Sequence, residues 1–329
     1  MTKRTESTGD QSHGPIIVGG MHRSGTSLAA SLLASVGVHM GDELLGPARG
    51  NQRGHFEDMD VYSFHTEWLA KLGFNEAGFL DTALPPLPPA ARTVAEGWLA
   101  RRSSTGRVWG WKEPRTTLFL EFWRELAPGA KFLFVFRKPW EVADSLYRRG
   151  DALFQQQPEF ALRVWARYNQ AVLDFVARWP DDCMLMEIDR LATDPVGALG
   201  PFQRRFALPQ VKPANCYDRE LLQRLDSPEP EALVRVRFPA VFSLYADLCR
   251  QAGEPPPSED GRDWEAIAAR AATPESDAFV TWATHQSRQA PRGSLSSRLA
   301  YRCRRLLWKL RRSASPKRTV TSPRSNSKS

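Results

Sequence analysis

The residues that most constrain the fold are 16–37, which read IIVGGMHRSGTSLAASLLASVG. Three β-branched apolar residues lead into two glycines, and leucine and valine then recur at helical spacing. This pattern predicts a buried strand over 15–19, a glycine turn, and a helix over 26–36. A strand that enters a helix through such a turn is typical of α/β folds.

The turn has the G-x-x-x-x-G frame and the following hydroxyl of a phosphate-binding loop. Thr26 stands where ATP- and GTP-binding loops carry lysine. The backbone N–H groups of such a turn bind anions together with the N-terminus of its helix. The missing lysine indicates an anion other than the γ-phosphate of a magnesium nucleotide. The residues predicted to bind it are Met21, His22, Arg23, Ser24, Gly25, Thr26 and Ser27.

The rest of the body alternates strands with helices. Strands are predicted over 107–111, 130–136 and 183–188. Helices are predicted over about 57–72, 90–101, 114–126, 139–148 and 159–178. We therefore predict one α/β domain of the P-loop type over residues 15–290, with a central parallel sheet flanked by helices.

Charge is distributed unevenly along the chain. The formal net charge is +8, but residues 291–329 hold 12 Lys or Arg and no acid. The remaining residues carry 33 basic and 37 acidic side chains, so the body is mildly acidic and we expect no nucleic-acid partner.

The two ends of the chain are expected to differ from the body. The polar residues 1–14 predict a disordered arm. Residues 295–312 predict a basic amphipathic helix, followed by a disordered tail. Such a helix fits an anionic membrane surface, although docking on the acidic body is an alternative. Its apolar face would carry Leu295, Leu299, Cys303, Leu306 and Leu310.

The cysteines and apolar runs predict a cytoplasmic protein. The sequence has no signal-peptide core and no apolar run long enough for a membrane span. Its four cysteines include no C-x-x-C pair, which predicts free thiols and no zinc site.

A second anion site is predicted where the strand 130–136 ends. Arg137 follows this strand, and Ser145 lies eight residues on, in the predicted helix. Ligands of open α/β sheets bind at the carboxyl ends of strands, where this arginine and serine would hold a phosphate. Arg137-Lys138 also occupies the place where a magnesium-holding acid is expected, so we expect no metal.

Both segments resemble those of sulfotransferases that use 3′-phosphoadenosine 5′-phosphosulfate (PAPS). GMHRSGTS resembles their loop for the 5′-phosphosulfate, and VFRKPWEVADS, which holds Arg137 and Ser145, resembles their segment for the 3′-phosphate. The resemblance covers roughly residues 15–190. It implies transfer of a sulfuryl group from PAPS to a hydroxyl on a carbohydrate, a lipid-linked glycan or a small molecule.

The segment WGWKEPRTT resembles the K-D-P segment of this family, with Glu113 in place of aspartate. The resemblance implies that Lys112 stabilises developing charge. Arg115 would face donor or acceptor, or else pair with Glu113 or Glu121. Trp109 and Trp111, which precede Lys112 in this segment, are candidate contacts of the acceptor.

The general base is expected in residues 51–60. NQRGHFEDMD resembles the family's G-x-x-E segment, which implies that Glu57 removes the acceptor's proton. His55 is a rival base and His22 a weaker one, and Glu57 and Asp58 also suit a helix N-terminus. Two other classes stay open: a P-loop kinase-like enzyme that uses a nucleoside triphosphate, and a non-catalytic anion-binding module.

Overall fold

The computed structural model describes residues 14–46, 56–214, 225–257, 260–271 and 277–288. Within these residues, parallel strands form one four-stranded sheet in the order β2–β1–β3–β4. The strands are β1 (Ile16–Gly19), β2 (Gly110–Lys112), β3 (Lys131–Phe136) and β4 (Cys183–Glu187). The predicted α/β fold with a central parallel sheet is confirmed.

Helices follow the strands and cover both faces of the sheet. In the first half of the described chain they are α1 (Thr26–Ser35), α2 (Met59–Lys71), α3 (Pro89–Ser103), α4 (Leu120–Leu126), α5 (Pro139–Arg149) and α6 (Ala152–Gln156). The later ones are α7 (Phe160–Arg178), α8 (Ile188–Thr193), α9 (Pro195–Arg205), α10 (Glu229–Arg237), α11 (Pro239–Gln251), α12 (Trp264–Ala271) and α13 (Ala278–Arg288).

The alternation of side chains along β3 explains why its sequence is apolar almost throughout. Phe132, Phe134 and Phe136 belong to one hydrophobic core, together with residues of α2, α3, α5 and α7. Leu133 and Val135 belong to a second core, which contains residues of α1 and α9. Because both faces are covered, every position after Lys131 is buried.

The strand register brings the functional segments to one edge of the sheet. Val18 lies opposite Lys112, Gly19 opposite Phe134, and Phe136 opposite Glu187. All four strands therefore end at the same edge. β1 lies inside the sheet with β2 and β3 on its two sides, at the point where the strand order reverses, and ligands of α/β sheets bind there.

Two local predictions differ from the structure. The strand predicted over 107–111 is β2, which begins later, because the residues on either side of Trp109 bond to the backbone of His39. The helix predicted over 114–126 begins as a 3₁₀ helix, Pro114–Phe119, and α4 follows it.

Some predictions lie outside the described residues. These are the N-terminal arm apart from Gly14, the basic tail 291–329, His55, and two of the cysteines, Cys216 and Cys303. The other two, Cys183 and Cys249, are free and buried. In the part of the chain that the structure describes, every helix is too short or too polar to cross a membrane.

Candidate active site

The phosphate-type loop between β1 and α1 has a backbone that only some residues adopt easily. Gly20 has φ +134°, and a Cβ there would lie 2.2 Å from the carbonyl oxygen of Val135. Arg23 has φ 69°, a left-handed conformation that is uncommon outside glycine. Strain of this kind concentrates at functional loops.

The loop leaves the N-terminus of α1 open to an anion. The residue that precedes this helix is Gly25, which has no side chain to cap it. The hydroxyl of Ser24 is fully buried and has no hydrogen-bond partner within the described protein. A buried hydroxyl without a partner is uncommon, and beside a helix N-terminus it suits a phosphate or sulfuryl oxygen.

The other residues of the loop pack into the protein. Met21 is fully buried in the core, and Thr26 is also buried. The ring of His22 packs edge-on against Phe79, with ring centroids 5.3 Å apart, and beside Tyr168. Met21 therefore brings only backbone groups to the loop, and His22 belongs to an aromatic contact that fixes the loop's position.

Thr117 anchors the loop from the 3₁₀ helix. The N–H of Gly20 donates to Thr117 Oγ1 at 2.8 Å, across 97 positions of sequence. A buried hydrogen bond of this length fixes the start of the loop relative to β2. This hydrogen bond could not be predicted from the sequence, because a threonine within a predicted helix is common.

Thr117→Val is expected to lower the free energy of unfolding by about 1–3 kcal/mol, because it leaves the buried N–H of Gly20 without an acceptor. Thr117→Ser keeps the hydroxyl and is expected to lose much less. Urea denaturation of both variants measures the difference. A loss in Thr117→Ser without a loss in Thr117→Val would show that the methyl group, and not the hydrogen bond, stabilises the loop.

Arg23 and Ser145 connect the two segments predicted to bind anions. Arg23 Nε donates to Ser145 Oγ at 2.8 Å. One turn earlier on α5, Glu141 accepts from Arg137 Nε at 2.8 Å, and both of these side chains are buried. The loop, Arg137 and Ser145 therefore lie around the first two turns of α5.

Lys112 and Glu57 are brought together at the end of β2. Lys112 Nζ lies 3.0 Å from Glu57 Oε1, and both side chains are buried. The backbones of these residues also pair in a parallel bridge. Lys112 is therefore not a solvent-exposed lysine, since only 1% of its surface is accessible.

Asp58 holds the start of α2 beside Glu57. Its Oδ1 accepts from the N–H groups of Asp60 and Val61, and its Oδ2 lies 2.6 Å from Arg102 Nη2. Asp58 is thus the helix-capping acid that the sequence suggested. Burial raises the pKa of Asp58 to about 6, although Arg102 acts in the opposite direction.

Asp58 is expected to make the protein less stable as pH rises from about 4 to 6. Its pKa in the folded protein lies above the usual 3.8, so the folded state binds the proton more tightly than the unfolded state. The stabilisation amounts to about 3 kcal/mol below about pH 4 and is lost as pH rises through about 6. Urea denaturation of wild type and Asp58→Asn at several pH values tests this, and a pH-independent difference between them would contradict it.

Glu113 and Arg115 form a buried ion pair, which was one of the alternatives for Arg115. Arg115 Nη1 contacts Glu113 Oε1, and Arg115 Nε donates to the carbonyl of Glu76 at 2.8 Å. Burial opposes ionisation, but Arg115 and His65 together lower the pKa of Glu113. Arg115 is thus held by protein groups, and its predicted contact with substrate is not supported.

Trp109 and Trp111 lie in the hydrophobic core. Both are buried, 2% and 0% exposed, and they pack against Trp98 in an aromatic cluster. Trp111 contacts Trp123 as well, and its Nε1 donates to Thr116. Neighbouring aromatic rings therefore surround both indoles, and their contact with the acceptor stays a prediction.

The structure also shows site residues that the sequence did not single out: His65, Thr117 and Glu141. Only Glu141 had a visible signal, because it stands four residues after Arg137. Within the described residues, no group of three or more His, Cys, Asp or Glu is arranged to hold a metal ion.

The fold is an α/β fold in which a phosphate-type loop and a buried lysine–glutamate pair lie at the same edge of the sheet. A model of the sulfotransferase family matches residues 15–212, more than half of the chain. The chain therefore belongs to the sulfotransferase family and is a sulfotransferase enzyme. No curated protein matches it at a significant level.

Solved structures of other sulfotransferases are similar at low identity. The sulfotransferase domain from the curacin biosynthetic pathway is 16% identical, with a TM-score of 0.40 over 85% of this chain and 99% of that one. Sulfotransferase STF9 from Mycobacterium avium is 16% identical, with a TM-score of 0.48 over 72% and 76%. A sulfotransferase from Alicyclobacillus acidocaldarius is 12% identical, with a TM-score of 0.47 over 73% and 96%.

Proposed function

We propose that this sulfotransferase uses PAPS as its donor and transfers the sulfuryl group to a hydroxyl acceptor. The main support is the 2.8 Å hydrogen bond from Arg23 Nε to Ser145 Oγ. PAPS has two separate anionic ends, and this bond brings the loop suited to one end beside the segment suited to the other. A loop with Thr26 in place of lysine fits such a donor better than it fits a nucleoside triphosphate.

The phosphosulfate end is assigned to the loop. The open N-terminus of α1 and the buried hydroxyl of Ser24 supply donors for its oxygens. Arg23 adds a cation beside them. Gly25 is the N-cap of α1, and Thr26 and Ser27 are its first two residues. The 3′-phosphate is assigned to Arg137 and Ser145.

Glu57 is assigned the role of general base. Its carboxylate is buried and lies 3.0 Å from Lys112, so an acceptor hydroxyl that reaches it also reaches the lysine. When Glu57 takes the proton, the acceptor oxygen forms a bond to sulfur and the bond between sulfur and the bridging oxygen breaks. Adenosine 3′,5′-bisphosphate leaves with the electron pair of that bond.

Lys112 is assigned the stabilisation of charge on the bridging and sulfuryl oxygens. Its ammonium group has three N–H donors, so it can donate to Glu57 and to an oxygen of PAPS at the same time. The charge it meets grows in the transition state, which makes the contact stronger there than in the ground state.

The acceptor is proposed to be a hydroxyl of a carbohydrate, a lipid-linked glycan or a small-molecule alcohol. Release of adenosine 3′,5′-bisphosphate from labelled PAPS, measured across a panel of such acceptors, tests donor and acceptor together. Release that depends on an acceptor would support the proposal. Hydrolysis of Mg·ATP without release from PAPS would instead favour the kinase-like alternative.

We also propose a cytoplasmic location, with the basic residues 291–329 in peripheral contact with an anionic membrane. The support is compositional: 12 basic residues, no acids, and apolar residues at helical spacing. Flotation with vesicles of anionic lipid tests it on the full chain and on a chain that ends at residue 290. Equal recovery of the two would contradict the proposal.

A further inference from the structure

Glu57 and Lys112 come from two different elements, whose relative position decides whether they meet. Glu57 lies two residues before α2, and Lys112 is the last residue of β2. Neither residue belongs to the phosphate-type loop. The distance of 3.0 Å between their side chains therefore depends on how α2 is held against the end of β2.

A second buried contact joins the same two elements. His65 lies on α2, and its Nδ1 is 2.6 Å from Oε2 of Glu113, the residue after Lys112. On the other side of the ring, Trp123 Nε1 donates to His65 Nε2 at 2.9 Å. Because indole N–H is a donor only, Nε2 accepts, and Nδ1 must carry the proton that is donated to Glu113.

Both partners of this contact are themselves fixed. The ring of His65 stacks on Phe119, with centroids 4.9 Å apart and planes 3° apart. Oε1 of Glu113 contacts Arg115, which in turn donates to the carbonyl of Glu76. His65 and Glu113 are both completely buried, so water does not compete with these bonds.

We propose that Glu113 and His65 are positioning residues of the reaction, which hold α2 against β2 so that Glu57 meets Lys112. The proposal rests on the proposed function for its kinetic consequences, but not for its geometry. Successive side chains of extended backbone point to opposite sides, so fixing Glu113 also fixes the direction of Lys112. A misplacement of about 1 Å between reacting groups lowers a rate by roughly 10²-fold.

The matched variants are His65→Asn and His65→Leu. Asparagine and leucine have nearly the same shape and both remove the ring, but only asparagine keeps an N–H at the position of Nδ1. We expect kcat of the leucine variant to lie about 10-fold or more below that of the asparagine variant. We expect the donor KM to be the same in both, because the residues assigned to the donor lie in the loop before α1, directly after β3 and on α5, and not on α2 or β2. Equal kcat values would overturn the proposal.

Glu113→Gln is the second variant, and Glu121→Gln on the exposed side of α4 is its control. Crystal structures of the full-chain variants measure the distance from Lys112 Nζ to Glu57 Oε1. We expect it to exceed hydrogen-bond length in Glu113→Gln and His65→Leu, and to stay near 3.0 Å in Glu121→Gln and His65→Asn. An unchanged distance in all four would overturn the proposal. A wild type that is inactive with PAPS would overturn only the proposed function. The distance between Lys112 and Glu57 in the variant structures would still test whether His65 and Glu113 position them.

Discussion

Replacing Lys112 with methionine is expected to lower kcat for sulfuryl transfer by roughly 10²- to 10³-fold. Methionine keeps much of the length and volume of the lysine stem but has no charge and no N–H. The variant therefore loses the cation that meets the bridging oxygen, while the apolar contacts of the side chain are largely kept. Pre-steady-state measurement of adenosine 3′,5′-bisphosphate formation separates this loss from slower product release.

Lys131→Met is the matched control for Lys112→Met. Lys131 also belongs to a strand and pairs with an acid, Asp182, but it begins β3 at the opposite edge of the sheet. The same substitution there is expected to leave kcat within about threefold, although it removes an ion pair of small energetic value. If both variants kept full kcat, or both lost it equally, the role assigned to Lys112 would be wrong.

Replacing Glu57 with glutamine is expected to lower kcat by roughly 10²- to 10⁴-fold, the usual contribution of general base catalysis. Glutamine has the same shape and still accepts a hydrogen bond from Lys112, but it cannot take a proton. Acceptor-dependent release of adenosine 3′,5′-bisphosphate from labelled PAPS measures the loss.

Glu43→Gln is the matched control for Glu57→Gln. Glu43 is exposed, and its backbone carbonyl accepts a hydrogen bond from the N–H of Met59, two residues after Glu57. We expect its kcat to match that of wild type. A Glu57→Gln variant that keeps the kcat of wild type would transfer the role of base to another group, of which His55 is the candidate from the sequence.

The charges of the site are compensated in pairs. Lys112 is paired with Glu57, and Arg137 with Glu141, and all four side chains are buried. A buried charge without a partner is costly, so these acids stabilise the cations in the absence of a donor. The guanidinium of an arginine carries five N–H donors in a planar fork, a geometry that suits carboxylate and phosphate oxygens.

The sequence predicted the framework of the fold because the strands are apolar and the glycine turn is distinctive. The run KFLFVF became β3, and the segment after Val18 became the loop before α1. The start of β2 was not predictable, because Trp109 is apolar like a strand residue, while its backbone neighbours bond to the segment around His39.

The site was predictable only where function and local sequence coincide. Arg137 and Ser145 stand eight positions apart on one strand–helix unit, so their placement followed from the local pattern. His65 and Thr117 act through partners 48 and 97 positions away, and one sequence carries no record of such contacts. The burial of Trp109 and Trp111 was equally hidden from the sequence. Both are close to Lys112 along the chain, yet their side chains lie in the core.

We propose above that the loop and the Arg137–Ser145 segment bind opposite ends of one PAPS molecule. Calorimetry of wild type and Arg137→Met with adenosine 3′,5′-bisphosphate and with adenosine 5′-monophosphate tests it most directly. Arg148→Met, the same change later on α5, is the control. We predict that Arg137→Met weakens binding of the bisphosphate by roughly 10- to 100-fold, the value of a hydrogen bond to a charged group, and leaves the monophosphate unchanged. Equal weakening of both ligands, or no weakening of either, would contradict the account.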